Sequence, residues 1–410
     1  KTARQTAELC GQLSQLAYEA NGLAPFIAAD QEGGLVARIN EGAAMFPGAM
    51  ALAAAASAED ARQVGKNCGE MLRSMGVNVN FAPVLDVNIE PLNPIIGNRS
   101  FGDQPQAVAD LGCAVAEGLV ESGVIATVKH YPGHGNVATD SHLALPTNNT
   151  DPELLEKTEF LPFQQAFDRG APALMSCHIV FPKIDPNLPA TLSPVIIGEM
   201  LRKKQGFDGL VFTDCMEMDA IQKGWGTAQG AVLAVAAGCD VLCISHHIEA
   251  VQSAVEAIEQ AVADGIIPRS RIQESYDRIM AAKKKMGLLE PQQVSLEQAE
   301  AVIHDAEKIA SVKQKEGVIN KVCDSVSEYL VELCSHHLSD KDSETVTNLL
   351  NTVSDIERIG DHAENFAESA KLRIEDKVEF SDKAIAELQE MTDKVAKILE
   401  YSLDMFSHDN

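Results

Sequence analysis

Positive charge is in short supply in this 410-residue chain: 33 lysines and arginines face 60 aspartates and glutamates, for a formal net charge of −27. A polyanion would be repelled, so non-specific nucleic-acid binding is excluded. No run of about 18 apolar residues occurs, and no membrane-spanning helix is expected. The nine cysteines are scattered and odd in number, with no C-x-x-C pair, as in a reduced chain. No signal-peptide pattern follows Lys1, so a cytoplasmic location is expected. Aromatics are few, one Trp and five Tyr, which argues against long surfaces where ligands stack on rings. What is plentiful is ordinary core material: 45% of residues are hydrophobic, which excludes disorder as the main state. At roughly 100–200 residues per domain, the length suggests two or three domains.

The first 290 residues alternate short apolar runs (25–29, 77–87, 124–128, 173–180, 209–213 and 239–244) with amphipathic stretches such as 2–21, 60–75, 105–121 and 153–169. Strands alternating with helices of this length imply βα units and a parallel sheet. Asp30, Asp86, Lys129–His130, His178, Asp214 and Ser245–His246 each fall at or near the carboxyl end of an apolar run. A βα-barrel builds its site from those ends, whereas an open doubly wound sheet gathers it at one switch point. Six polar strand ends favour the barrel. Only six runs are found where a closed barrel has eight strands.

The richest segment runs from Lys129 through His130, His134 and Gly135 to Asp140 and His142. Glycine and proline fix a loop there, and histidine moves protons near neutral pH. An aspartate two residues away can orient an imidazole. The same residues also fit a metal site or satisfied surface histidines. Asp214 closes the run 209–214. It faces a polar cleft, or else caps a helix over 216–223. Asp30 stands before Gly33 and Gly34, which allow close backbone approach to a ligand, or make an ordinary turn. Arg99 lies in a polar loop, suited to grip hydroxyls or a carboxylate.

Together these segments resemble glycoside hydrolase family 3, in its bacterial β-N-acetylhexosaminidase branch, over residues 1–303. The carrying motifs are DQEGG at 30–34, NFAPVLDV at 80–87, GNRSFG at 97–102, KHYPGHG through DSH at 129–142 and FTDCMEM at 212–218. The resemblance implies a (β/α)8 barrel that removes terminal β-linked N-acetylglucosamine with retention, from peptidoglycan fragments or chitooligosaccharides. It implies Asp214 as nucleophile and His142 as general acid/base with Asp140 as its dyad partner. Asp30, Arg38, Arg99, Lys129, His130 and His178 would hold the sugar, with Met218 near the acetamido group. No cofactor is implied, and the partner is a small carbohydrate. The first two strands of such a barrel would lie before Lys1, and a homo-oligomer covering the open sheet edge is expected. Where many members carry a second acid, this chain has Cys215. A retaining glycosidase needs one carboxylate to attack and one group to donate, then accept, a proton; a His–Asp pair departs from the usual second carboxylic acid. Phosphate as acceptor would make the enzyme a phosphorylase, which stands as an alternative.

After Gly287 the pattern changes. Residues 291–300 read as a linker, and beyond about 306 there is no proline. Three apolar stripes, around 318–333, 349–363 and 384–403, indicate an all-α three-helix bundle. The domains expected are thus 1–303 and 304–410. Glu357, Asp361, Glu364 and Glu368 share one helical face, which either binds a metal or is a solvated acidic face. This tail resembles the PhoU-type phosphate-regulatory domain, which implies metal binding by Glu357 and Asp361; the chain contains one bundle where that family has two. A second reading of the whole is therefore a metal-binding scaffold with an inactive barrel. The joining of the two modules reads as a fusion with regulatory purpose, or as an accidental or engineered junction near 303–310.

Overall fold

The computed structural model describes residues 2–39, 46–90, 93–137, 145–291 and 294. Asp140, His142, the expected helical bundle and its Glu357 and Asp361 lie outside the described residues.

Six strands pair in parallel: β1 (Ala28–Ala29), β2 (Val79–Asn80), β3 (Ile125–Tyr131), β4 (Ala173–Ser176), β5 (Leu210–Cys215) and β6 (Val241–Cys243). Their order across the sheet is their order in the chain, with β1 and β6 at the edges. Each strand lies within or overlaps one of the six apolar runs. Sequential parallel pairing with helical connections is the (β/α) half-barrel pattern. Eight strands are not reached among the described residues.

The strands are two-sided. Ala126, Val128, Leu174 and Val211 point outward into the main core beneath the helices. Ile125, Ala173, Met175, Leu210 and Phe212 form a separate inner cluster with Val79. This period of two places Lys129 and Asp214 on the inner side as well, four positions beyond Ile125 and two beyond Phe212.

The outer layer comprises α1 (Ala3–Asn21), α2 (Ala58–Ser74), α3 (Pro105–Glu121), α4 (Phe160–Asp168), α5 (Thr227–Ala237) and α6 (Ile248–Ala263); α7 (Arg269–Lys285) follows. Thr2 opens α1 with a capping box to Gln5, Ser57 caps α2, and Pro105 starts α3 where its missing N–H costs nothing. Helices α2 and α3 cross closely because both carry glycine at the crossing. A Cβ at Gly65 would lie 2.2 Å from the Val115 carbonyl oxygen, and one at Gly118 2.0 Å from that of Arg62.

Two expectations are corrected. The single helix over 153–169 is a short turn, Pro152–Leu155, followed by α4, because the chain loosens at 156–159, where Glu159 is buried and bonded to Asn148. The helix over 216–223 begins only at Asp219, with Met218 at its N-cap, while Asp214 belongs to β5. Asp214 caps nothing.

Two features tie the layers together. Asp240, just before β6, has a fully buried side chain that takes Arg202 and Arg271 at 2.5 and 2.9 Å, with Arg278 at 3.5 Å. Helix α7 lays Ile279, Ala282 and Met286 against the inner cluster. Its Lys283 Nζ donates to the Ala24 carbonyl at 2.6 Å and sits 5.2 Å over the Phe26 ring. Among the described residues no helix is long and apolar enough to cross a membrane.

Candidate active site

At the carboxyl end of the sheet lies a cavity of about 310 Å³, lined among others by Asp30, Glu32, Arg38, Arg99, Lys129, His130, Asp214 and Cys215. That volume is at the small end for sites that enclose one compact ligand. Of the sequence-predicted residues, Asp30, Arg38, Arg99, Lys129, His130 and Asp214 thus line one cavity, although they are spread over 185 positions.

One half of the wall is an ionic ladder. The Lys129 ammonium, 2% exposed, lies 2.8 Å from Asp30 Oδ1 and 2.5 Å from Glu32 Oε1. Arg99, brought up by the turn Gly97–Arg99, grips the same Glu32 with two donors, Nε at 2.9 Å and a terminal nitrogen at 2.8 Å. Burial alone would raise the Glu32 pKa, but Lys129 and Arg99 outweigh it and hold it at about 2. Burial would likewise strip the charge from Lys129; Glu32 and Asp30 override it and keep the ammonium pKa above its ordinary value. Glu32 is not among the residues the sequence singles out. Its motif offers Asp30 as the strand-end acid, and only the fold brings Arg99 and Lys129 to Glu32.

The other half is built on Asp86. Its carboxylate is fully buried and accepts from His130 Nδ1 at 2.7 Å, from the His134 N–H at 2.7 Å and from the His130 N–H at 3.2 Å. Burial opposes its charge, yet His130 and His134 hold its pKa below the ordinary carboxylate value. His134 is buried too, and desolvation, reinforced by the neighbouring His130, lowers its pKa to about 4. The segment after β3 that carries His134 lies close against the end of the adjoining segment. A Cβ at Gly135 would lie 1.8 Å from the Val87 carbonyl oxygen, so only glycine fits. Both Lys129 and His130 line the cavity, which a regular strand would forbid for consecutive residues; β3 shifts register between Lys129 and Tyr131.

Asp214 faces the ladder from β5. Its Oδ1 accepts from the Cys215 N–H at 2.7 Å. Burial would raise its pKa, but His178, His130, that N–H and Lys129 together lower it, so the carboxylate is ionised. His178 itself is buried and does not line the cavity: Nε2 donates to the Cys215 carbonyl at 3.0 Å, and Nδ1 lies 2.9 Å from Thr191 Oγ1. Met218 is buried as well, with its N–H bonded to the Cys215 carbonyl, away from the wall. Arg38 is exposed at the cavity mouth. An ionised carboxylate opposite a fixed array of donors and acceptors can bind a polyhydroxy ligand and attack an electrophilic carbon within it.

A family model described as the glycosyl hydrolase family 3 N-terminal domain matches residues 1–282. A second, described as the PhoU domain, matches residues 295–370. Among curated proteins, β-hexosaminidase A of Pseudoalteromonas piscicida is 33% identical over 308 residues, 70% of this chain and 51% of that protein. A β-hexosaminidase of Alkalilimnicola ehrlichii is 38% identical over 231 residues, 55% of this chain and 66% of its own. Among solved structures, a glycoside hydrolase family 3 β-N-acetylglucosaminidase from Paenibacillus sp. FPU-7 matches with a TM-score of 0.72 at 41% identity, covering 78% of this chain and 61% of that one. The chain spans between about half and two-thirds of the length of these relatives.

Proposed function

The chain belongs to glycosyl hydrolase family 3, and we propose that it removes terminal β-linked N-acetylglucosamine with retention of configuration. In this reading Asp214 attacks the anomeric carbon and forms a glycosyl–enzyme, while His142, oriented by Asp140, protonates the leaving oxygen and then deprotonates the incoming water. No cofactor takes part. The observation that carries the reading is the placement of Asp214: an ionised carboxylate on the inner side of β5, across a small cavity from the Asp30–Lys129–Glu32–Arg99 ladder. A nucleophile must be unprotonated at working pH, and cationic neighbours supply that condition. The ladder offers both charges to sugar hydroxyls and leaves Asp30 and Lys129 at the wall to receive them. His130 joins them, with Asp86 fixing its ring.

The remaining expectations follow as part of the same proposal. The barrel module spans 1–303 with a (β/α)8-type fold, and a PhoU-like bundle spans 304–410, with Glu357 and Asp361 as its metal ligands. The chain works in the cytoplasm on peptidoglycan fragments or chitooligosaccharides, as a homo-oligomer.

Release of 4-nitrophenol from its N-acetyl-β-glucosaminide tests the activity. Asp214→Asn should lower kcat on the order of 10³-fold or more. Equal turnover in the variant overturns the assignment of Asp214. Added phosphate that diverts product to a sugar 1-phosphate would replace hydrolysis with phosphorolysis at the same site.

A further inference from the structure

Beside the cavity, three side chains of metal-ligand type converge from two strand ends. Cys215 Sγ, a Glu217 carboxylate oxygen and a His246 ring nitrogen all lie within 4.8 Å of one another, and they are the one such group among the described residues. Cys215 Sγ is 3.9 Å from His246 Nδ1, which is 3.5 Å from Glu217 Oε2. Ligand atoms of a tetrahedral zinc site, with ion–ligand lengths of about 2.0–2.3 Å, lie roughly 3.3–3.8 Å apart. The Cys215–His246 and His246–Glu217 separations match that spacing to within about 0.1 Å, and the third stays below 4.8 Å.

The cluster is held in place. The Glu217 side chain is 5% exposed and accepts from the N–H groups of Ser245 and His246, each at 2.7 Å, so it pins the loop after β6 against the end of β5. Pinning the loop accounts for Glu217 but does not require a thiol and an imidazole to face each other. Those two approach from chain positions 31 apart, and His246 is largely exposed. Sulfur, imidazole and carboxylate together select a borderline divalent ion over calcium or magnesium, which take oxygen.

We propose that Cys215, Glu217 and His246 bind one zinc-type divalent ion at the rim of the cavity. Three protein ligands leave a fourth position open. Cys215 and Ser245 also line the cavity, so the ion would border it. The site uses none of the residues assigned to the glycosidase reaction, and the inference stands whether or not that activity is found.

The reduced full-length chain is titrated with Co²⁺, then Zn²⁺. One Co²⁺ per chain should give a cobalt–thiolate charge-transfer band that Zn²⁺ abolishes. Cys215→Ser should remove the band, and His246→Ala should weaken binding roughly tenfold or more. The double variant Glu357→Gln, Asp361→Asn should keep the band, since oxygen ligands in the tail cannot produce it. Zn²⁺ should also slow alkylation of Cys215 in the unaltered chain, read by mass spectrometry, which needs no variant to fold. A missing band, a band that survives Cys215→Ser, unchanged affinity in His246→Ala, or alkylation of Cys215 indifferent to Zn²⁺ would each overturn the site.

Discussion

Asp86 and His130 form a buried pair in which an ionised carboxylate fixes the imidazole from behind, Oδ2 to Nδ1 at 2.7 Å, while the ring lines the cavity. Asp86→Asn keeps an acceptor for the His134 N–H but can no longer impose the Nδ1–H form of the ring. Kcat/KM on the aryl glycoside is expected to fall on the order of 10²-fold. The pH–rate profile separates positioning from packing: Asp86 as a positioning residue predicts a changed profile, and a purely structural role predicts an unchanged one with less folded protein.

Lys129, Glu32, Asp30 and Arg99 should behave as one unit. Lys129→Met strands two carboxylates in a buried wall and is expected to cost about 3–5 kcal/mol in urea unfolding. Combining it with Glu32→Gln should cost less than the sum of the two single changes, because the double variant removes a matched pair. A double-mutant cycle measures the coupling, and strict additivity would mean the short distances carry no energy.

Acid should unfold the protein in two separable stages. His134 is neutral in the fold with a pKa of about 4 against an ordinary 6.5, so the unfolded chain binds the extra proton first; stability falls as pH drops from 6.5 to 4. Glu32, held at about 2 against 4.5, contributes stability above 4.5 that is lost as pH falls from 4.5 toward 2. Each is worth about 3 kcal/mol at most. His134→Asn should flatten the upper window and Glu32→Gln the lower one in urea midpoints measured across pH. Both variants altering the same window would refute the assignment.

Asp240 serves a different end of the molecule. Replacing it with Asn leaves Arg202, Arg271 and Arg278 facing one another around a neutral amide. A destabilisation of about 3–5 kcal/mol is expected, with β6 and α7 losing amide-exchange protection before β3 does.

How far these arrangements can be read from sequence depends on range. The patterns Ile125-x-Thr127-x-Lys129 and Leu210-x-Phe212-x-Asp214 are local: period two carries the inner apolar face straight to a polar residue at the strand end, and both residues stand in the cavity wall. An acid inside the apolar run 77–87 is a local signal too, and Asp86 stands out by it. Its tie to His130, 44 positions away, is not local. Glu32 is silent in sequence because its importance lies wholly in Arg99 and Lys129, 67 and 97 positions on. For Asp214 local sequence offers strand end or helix cap equally, and pairing with β4 and β6 decides it by extending β5 through Cys215. Glu217 and His246 meet only because β5 and β6 are neighbours.

The bond from Lys283 to the Ala24 carbonyl joins positions 259 residues apart. Every βα unit lies between its two ends, so it can form only after the sheet has assembled from β1 to β6. The backbone entropy of bringing such distant ends together is spent late, when the loop to be closed is already structured and short in space. During synthesis, α1 and β1 would leave the ribosome long before α7, their partner in that closure. The first strand, two residues long at the sheet edge, is thus held from two ends of the chain, by its pairing with β2 and, just before it, by the last described helix.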